Sequence, residues 1–230
     1  MMVTEKVYGP EAARRVYDYQ MDRYLRQRSA RARDVPLHQV EDQPWIFYGK
    51  GAVAMYLLRD YVGEARVDTA LRRYLEKYHD AGPPYPTSLD LYAELRAVTP
   101  DSLQYLLTDL FETVTLWDVR AKRARVERTG AGEYRVTLDV VAKKMRADSV
   151  GHETEVPMND LVEIGVFAPG GDERLGAPLY LKRQRIHSGE QTIIITVPRE
   201  PARAGIDPYH TLIDRRGHDN VVKVASTGAH

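Results

Sequence analysis

Apolar and polar positions follow two different rhythms along the 230-residue chain. Up to about Thr115 apolar residues recur at three- and four-residue steps, which places them on one side of an α-helix. Beyond Trp117 they alternate with polar residues, the pattern of a strand with one buried face. The expectation is therefore an α+β chain: an all-helical segment over residues 1–116, followed by an antiparallel β-sandwich over residues 117–230.

Within the first segment, Val16, Tyr17, Met21, Tyr24 and Leu25 predict a helix from Glu11 to Arg28, with Pro10 suited to its first turn. The charged stretch from Ala30 to Pro44 contains Pro36 and Pro44 and reads as a loop. Val53, Ala54, Tyr56, Leu57, Leu58 and Tyr61 predict a buried helix from about Lys50 to Tyr61, ended by Gly63. Glu64 to Tyr78 is amphipathic, with Val67, Ala70, Leu71, Tyr74 and Leu75 on one side, and the run from Ala81 to Pro86 breaks it. Thr87 and Asp90 have capping-box spacing, and Pro100-Asp101 opens a last helix through Leu103, Leu106, Leu107, Leu110 and Phe111.

In the second segment, Tyr134, Val136, Leu138 and Val140 alternate with Arg135, Thr137 and Asp139 behind the turn Thr129-Gly130-Ala131-Gly132. Leu161 to Phe167, Pro178 to Ile186 and Gln191 to Val197 predict further strands. They are separated by the cluster Ala168 to Gly176 and by His187-Ser188-Gly189.

Composition narrows the chemistry. Lys plus Arg and Asp plus Glu both number 33, so no net field favours nucleic acid or an anionic membrane. With no cysteine, disulfides and thiol chemistry are excluded, and any chemistry must come from His, carboxylates, Ser, Thr, Tyr or Lys. No window approaches 18 apolar residues and the N-terminus has no apolar h-region, so the chain as given is expected to be soluble, with neither a transmembrane helix nor a signal peptide.

The segment Phe47-Tyr48-Gly49-Lys50-Gly51-Ala52-Val53-Ala54-Met55, then Val62-Gly63-Glu64 and the helix ending Tyr74-Leu75, carries a family resemblance. It resembles zinc aminopeptidases of the aminopeptidase N type, the gluzincins in which a Tyr-x-Lys-Gly motif opens the helix after the metal site. Leu110-Phe111-Glu112, Thr115-Leu116-Trp117-Asp118, Gly205-Ile206-Asp207-Pro208-Tyr209, Asp214-Arg215 and Asp219-Asn220 extend it over most of the chain. They are most similar to bacterial proteins that join this peptidase unit to transporter permease segments.

The resemblance implies a helical segment from the end of a thermolysin-like catalytic domain, and hydrolysis of N-terminal peptide bonds in the intact enzyme, with peptides as substrate. It also implies that the Tyr48 hydroxyl donates to the oxyanion of the tetrahedral intermediate. The family's cofactor is zinc, bound by His-Glu-x-x-His and a glutamate on the next helix. This sequence has no such motif, since His152-Glu153-Thr154-Glu155-Val156 carries valine where the second histidine belongs. The opening Met2 to Gly9 resembles the stretch just beyond the third zinc ligand. The chain alone is thus expected to hold no zinc and to be inactive, with the missing zinc-bearing half or self-association covering its helices. Membrane attachment would come only through permease segments absent from this sequence, in a membrane-anchored bacterial protein.

Simpler readings stand beside these. The histidines His38, His79, His152, His187, His210, His218 and His230 form no close-spaced ligand pair. Arg120, Lys122, Arg123, Arg125 and Arg128 read as a solvated strand face, and Asp207, Asp214 and Asp219 as turn formers rather than a calcium loop. Ser188 lacks the surroundings of a serine nucleophile. The alternative function is a non-catalytic binding or scaffolding module that presents the helical surface and the sandwich to a partner.

Overall fold

A computed structural model of the chain describes residues 2–31, 34–130, 132–171 and 175–226. Ala131 of the expected turn, residues 172–174 of the Gly/Pro/Asp cluster, and His230 lie outside the described residues. The chain forms two compact units: residues 1–115 with 146–153, and residues 116–145 with 154–230.

The first unit is helical. Helix α1 (Met2–Tyr8) passes through Gly9, at φ 85°, into α2 (Pro10–Arg31), whose first residue is the proline that suits a first turn. Ala13, Tyr17, Met21, Tyr24 and Arg28 form the buried stripe of α2 at steps of three and four. A wide π-helical turn, Trp45–Lys50, leads into α3 (Gly51–Val62), and Gly63 at φ 96° ends that helix by donating its N–H to the Arg59 carbonyl.

Helix α4 (Glu64–Tyr78) buries only Val67 and Ala70 and leaves Leu75 on the surface. Both bonds of the Thr87 and Asp90 capping box are present at the start of α5 (Ser88–Val98). The last helix is not continuous. It tightens over Asp101–Leu103, is α-helical in α6 (Gln104–Leu107) and widens over Thr108–Glu112.

Strands follow: β1 (Val114–Arg128), β2 (Tyr134–Ala147), β3 (Glu153–Val156), β4 (Asn159–Phe167), β5 (Pro178–His187), β6 (Gly189–Val197), β7 (Arg203–Ile206) and β8 (Val221–Ser226). The helix-then-strand, α+β order expected from the sequence is observed. The strands pair in the order β3-β2-β1-β8-β7-β4-β5, with β6 also pairing β2.

Most ladders are antiparallel, for example Tyr134 opposite Val197 through Ala142 opposite Gly189. The sheet is nevertheless mixed, because β8 pairs antiparallel with β7 from Val221 to Lys223 and then parallel with β1 from Val224 to Ser226. One short strand therefore joins the two ladders. Gly205 allows the approach, since a Cβ there would lie 2.3 Å from the Asn220 carbonyl oxygen.

The core of this unit comes from alternating strand positions: Val136, Leu138 and Val140 of β2, Ile193, Ile195 and Val197 of β6, and Val162, Ile164 and Val166 of β4. Trp117, almost wholly buried, donates its indole N–H to Asp160 Oδ2 at 2.8 Å, and Lys144 Nζ donates to Asp160 Oδ1 at 2.7 Å. Both oxygens of this buried carboxylate are thereby satisfied. Among the described residues no helix is long and apolar enough to cross a membrane.

Candidate functional site

Tyr48 sits in the π-helical turn before α3, and four of that turn's six residues, Trp45, Ile46, Gly49 and Lys50, are buried. Tyr48 itself is 60% exposed and its ring lies 4.5 Å from the Phe47 ring, which is also partly exposed. The phenol is therefore carried outward by a segment whose neighbours are packed inward.

The turn is held from beneath by α2. Trp45 stacks on Tyr24 with ring centroids 5.9 Å apart, and a Cβ at Gly49 would come within 3.2 Å of Tyr24 Cβ. Glycine there lets the turn lie directly on the helix. The Tyr24 hydroxyl donates to Asp34 Oδ2 at 2.5 Å, and Arg28 donates to the same oxygen at 3.1 Å while pairing with Glu153 at 3.0 Å.

Lys50 is completely buried and donates from Nζ to the Thr113 carbonyl at 3.2 Å. Burial pushes its ammonium down to about 8, because loss of hydration outweighs the attraction of Asp34, and Arg28 adds to the fall. Asp34 Oδ1 and Arg28 Nη2 are buried without a hydrogen-bond partner. The polar group under the Tyr48 turn is thus strongly charged and incompletely bonded.

No three His, Asp or Glu side chains converge in a metal-holding group among the described residues. His38 has its Nδ1 2.7 Å from the Phe111 carbonyl oxygen, and His79 pairs with Asp80 on the surface.

The acidic residues near the C-terminus are occupied with backbone. Asp207, at φ 44°, accepts from the Thr211 amide at 2.8 Å, the Thr211 hydroxyl at 2.6 Å and the Leu212 amide at 3.0 Å. Asp214 accepts from the Val119 amide at 2.9 Å and the Arg216 amide at 2.8 Å. Burial raises the Asp214 carboxyl to about 6 despite those two donors, with the charges of Asp118 and Asp207 adding to the rise. Ser188 Oγ accepts from the Met158 amide at 2.9 Å.

An open groove of ≈ 520 Å³ in the strand unit is lined by Lys122, Arg123, Asp139, Glu190, Gln191 and Thr192. Its charges are matched internally, Lys122 to Glu190 at 2.6 Å and Arg123 to Asp139 at 2.8 Å, with Thr192 donating to Asp139. Arg120 is exposed and Arg125 lies 3.6 Å from Asp139.

The sequence pointed to Tyr48 but not to the charged group below it. Tyr24 and Arg28 stand four apart on the α2 stripe, and an arginine within an apolar stripe was the available signal. No protein-family model and no curated protein sequence matches the chain.

Proposed function

We propose that the chain is the C-terminal part of a zinc aminopeptidase of the aminopeptidase N type. Its Tyr48 hydroxyl donates to the oxyanion formed when an N-terminal peptide bond is attacked by water. The observation that carries this reading is Tyr48 itself, an exposed phenol beside the partly exposed Phe47 on a turn whose other residues, Trp45, Ile46, Gly49 and Lys50, are buried. A donor held on a rigid support and aimed out of the fold lowers the energy of developing negative charge without paying for reorganisation.

The zinc-bearing half lies on residues outside this sequence, and there the metal would supply the activated water. The exposed apolar residues Val3, Val7 and Tyr8 of α1 and Tyr19 of α2 support a helical unit built to be covered by such a half. The resemblance of Phe47 to Met55 and of Gly205 to Tyr209 to that family supports the same reading.

The test joins the chain to a zinc-bearing segment carrying His-Glu-x-x-His and its downstream glutamate, and measures release of aniline from aminoacyl-anilides. The joined protein is expected to be active, and Tyr48→Phe is expected to lower kcat by about 10²–10³ with zinc content unchanged. Full activity of Tyr48→Phe would remove Tyr48 from the chemistry. Chelator-sensitive hydrolysis by the 230-residue chain alone would overturn the assignment of the metal to another segment.

A further inference from the structure

Lys50 is a wholly buried charge in the helical unit. A wholly buried ammonium offers three donors, and the bond found for it is one of 3.2 Å to the Thr113 carbonyl. Removing such a charge from water costs several kcal/mol, and an apolar side chain of the same length would pack there without that penalty. The one bond has a long reach, however. It fastens the junction between the π-helical turn and α3 to backbone 63 positions further along the chain.

Two residues before this anchor stands Tyr48, whose phenol projects outward and whose direction is therefore set by the backbone that carries it. Gly49 against Tyr24 and Trp45 stacked on Tyr24 fix the α2 side of the turn, and Lys50 fixes the other. We infer that Lys50 is a positioning residue for Tyr48: its buried side chain, tied to the Thr113 carbonyl, holds the turn in the one geometry that presents the phenol. The catalytic consequence rests on the function proposed above, whereas the positioning itself is a property of this chain.

The experiment uses the full chain with 3-fluorotyrosine at position 48 and reads its fluorine resonance, alongside thermal melts. Lys50→Met, of similar length and uncharged, is expected to keep a cooperative melt while the resonance shifts and broadens. Lys50→Gln keeps a donor and is expected to retain the resonance of the parent chain. An unchanged resonance in Lys50→Met overturns the inference, and so does a displaced one in Lys50→Gln. Failure of either variant to fold also overturns it, since Lys50 would then be a requirement of the core.

In the protein joined to its zinc-bearing segment, Lys50→Met is expected to lower kcat roughly 10- to 10²-fold with KM little changed, the size of effect that small misplacements produce. A normal kcat in that variant, with the resonance displaced, would overturn the catalytic consequence. Should Tyr48→Phe be fully active while the fluorine result holds, the proposed function fails and the positioning role stands.

Discussion

The two units treat apolar surface differently. Among the described residues, Val3, Val7, Tyr8, Tyr19, Phe47, Tyr48, Leu75, Tyr85, Leu89 and Val150 are large, apolar and exposed, and all belong to the helical unit, whereas the strand unit exposes only Ile194 in this way. Scattered exposed apolar residues are ordinary, and the contrast lies in how unevenly the two units carry them. The strand unit keeps nearly all of its large apolar side chains inside, and the helical unit leaves several of them on its surface.

Their buried charges differ in the same sense. In the strand unit Asp160 is closed, with one oxygen bound by Trp117 and the other by Lys144. In the helical unit Asp34 keeps one unbonded oxygen, and Lys50 stands close enough for that carboxylate to act on its titration. A satisfied buried network fixes structure, while an open one stores cost beneath the segment that bears Tyr48.

Breaking the closed network should give the largest loss of stability. Asp160→Ala removes the carboxylate that accepts from both the buried Lys144 ammonium and the buried Trp117 indole, and is expected to cost about 3–5 kcal/mol. Urea unfolding followed through Trp117 fluorescence in a Trp45→Phe chain measures it. A cost below about 1 kcal/mol would show that the triad is not the keystone of the strand core.

The open network should instead reveal itself through pH. Lys50 is held at about 8 in the folded chain against 10.5 unfolded. Between those values the unfolded chain binds the extra proton, so stability rises with pH, by about 3 kcal/mol across the full window. Tyr56 and Tyr92 oppose this above pH 10, because burial raises both phenols, Tyr92 to about 12 with help from Glu112. The gain is therefore to be sought between pH 8 and 9.5 by urea unfolding read through Trp45 in a Trp117→Phe chain, and Lys50→Met should abolish it. A flat profile would mean that Lys50 stays hydrated.

The smallest effect concerns a local device of the helical unit. Thr87→Ala removes one half of the capping box at α5 and is expected to cost about 1 kcal/mol, measured as a shift in the urea midpoint of that same fluorescence. No shift would indicate that α5 is held by packing alone.

Much of this architecture was legible in the residues. Glu64 to Tyr78 was expected as one helix and forms one, because its boundaries are set by Gly63 and by the break after Tyr78, both local signals. The expected strand Pro178 to Ile186 falls within β5 for the same kind of reason. Helix α1 and strands β7 and β8 were not expected as separate elements, being short segments of four to seven residues with too few positions to establish a period.

At the candidate site, the sequence singled out Tyr48 through its motif and missed Asp34, Arg28 and Lys50 as a group, since partners brought together by folding leave no local spacing to read. Local periodicity and turn chemistry by themselves determined that this chain is helical first and β second, because each residue pattern acts within a turn or two of itself. Only tertiary structure decided that Lys50 would be buried beneath Tyr48, and that β8 would join β7 to β1 with a parallel step. Burial and strand pairing depend on which distant surfaces meet, and no window of the sequence contains both.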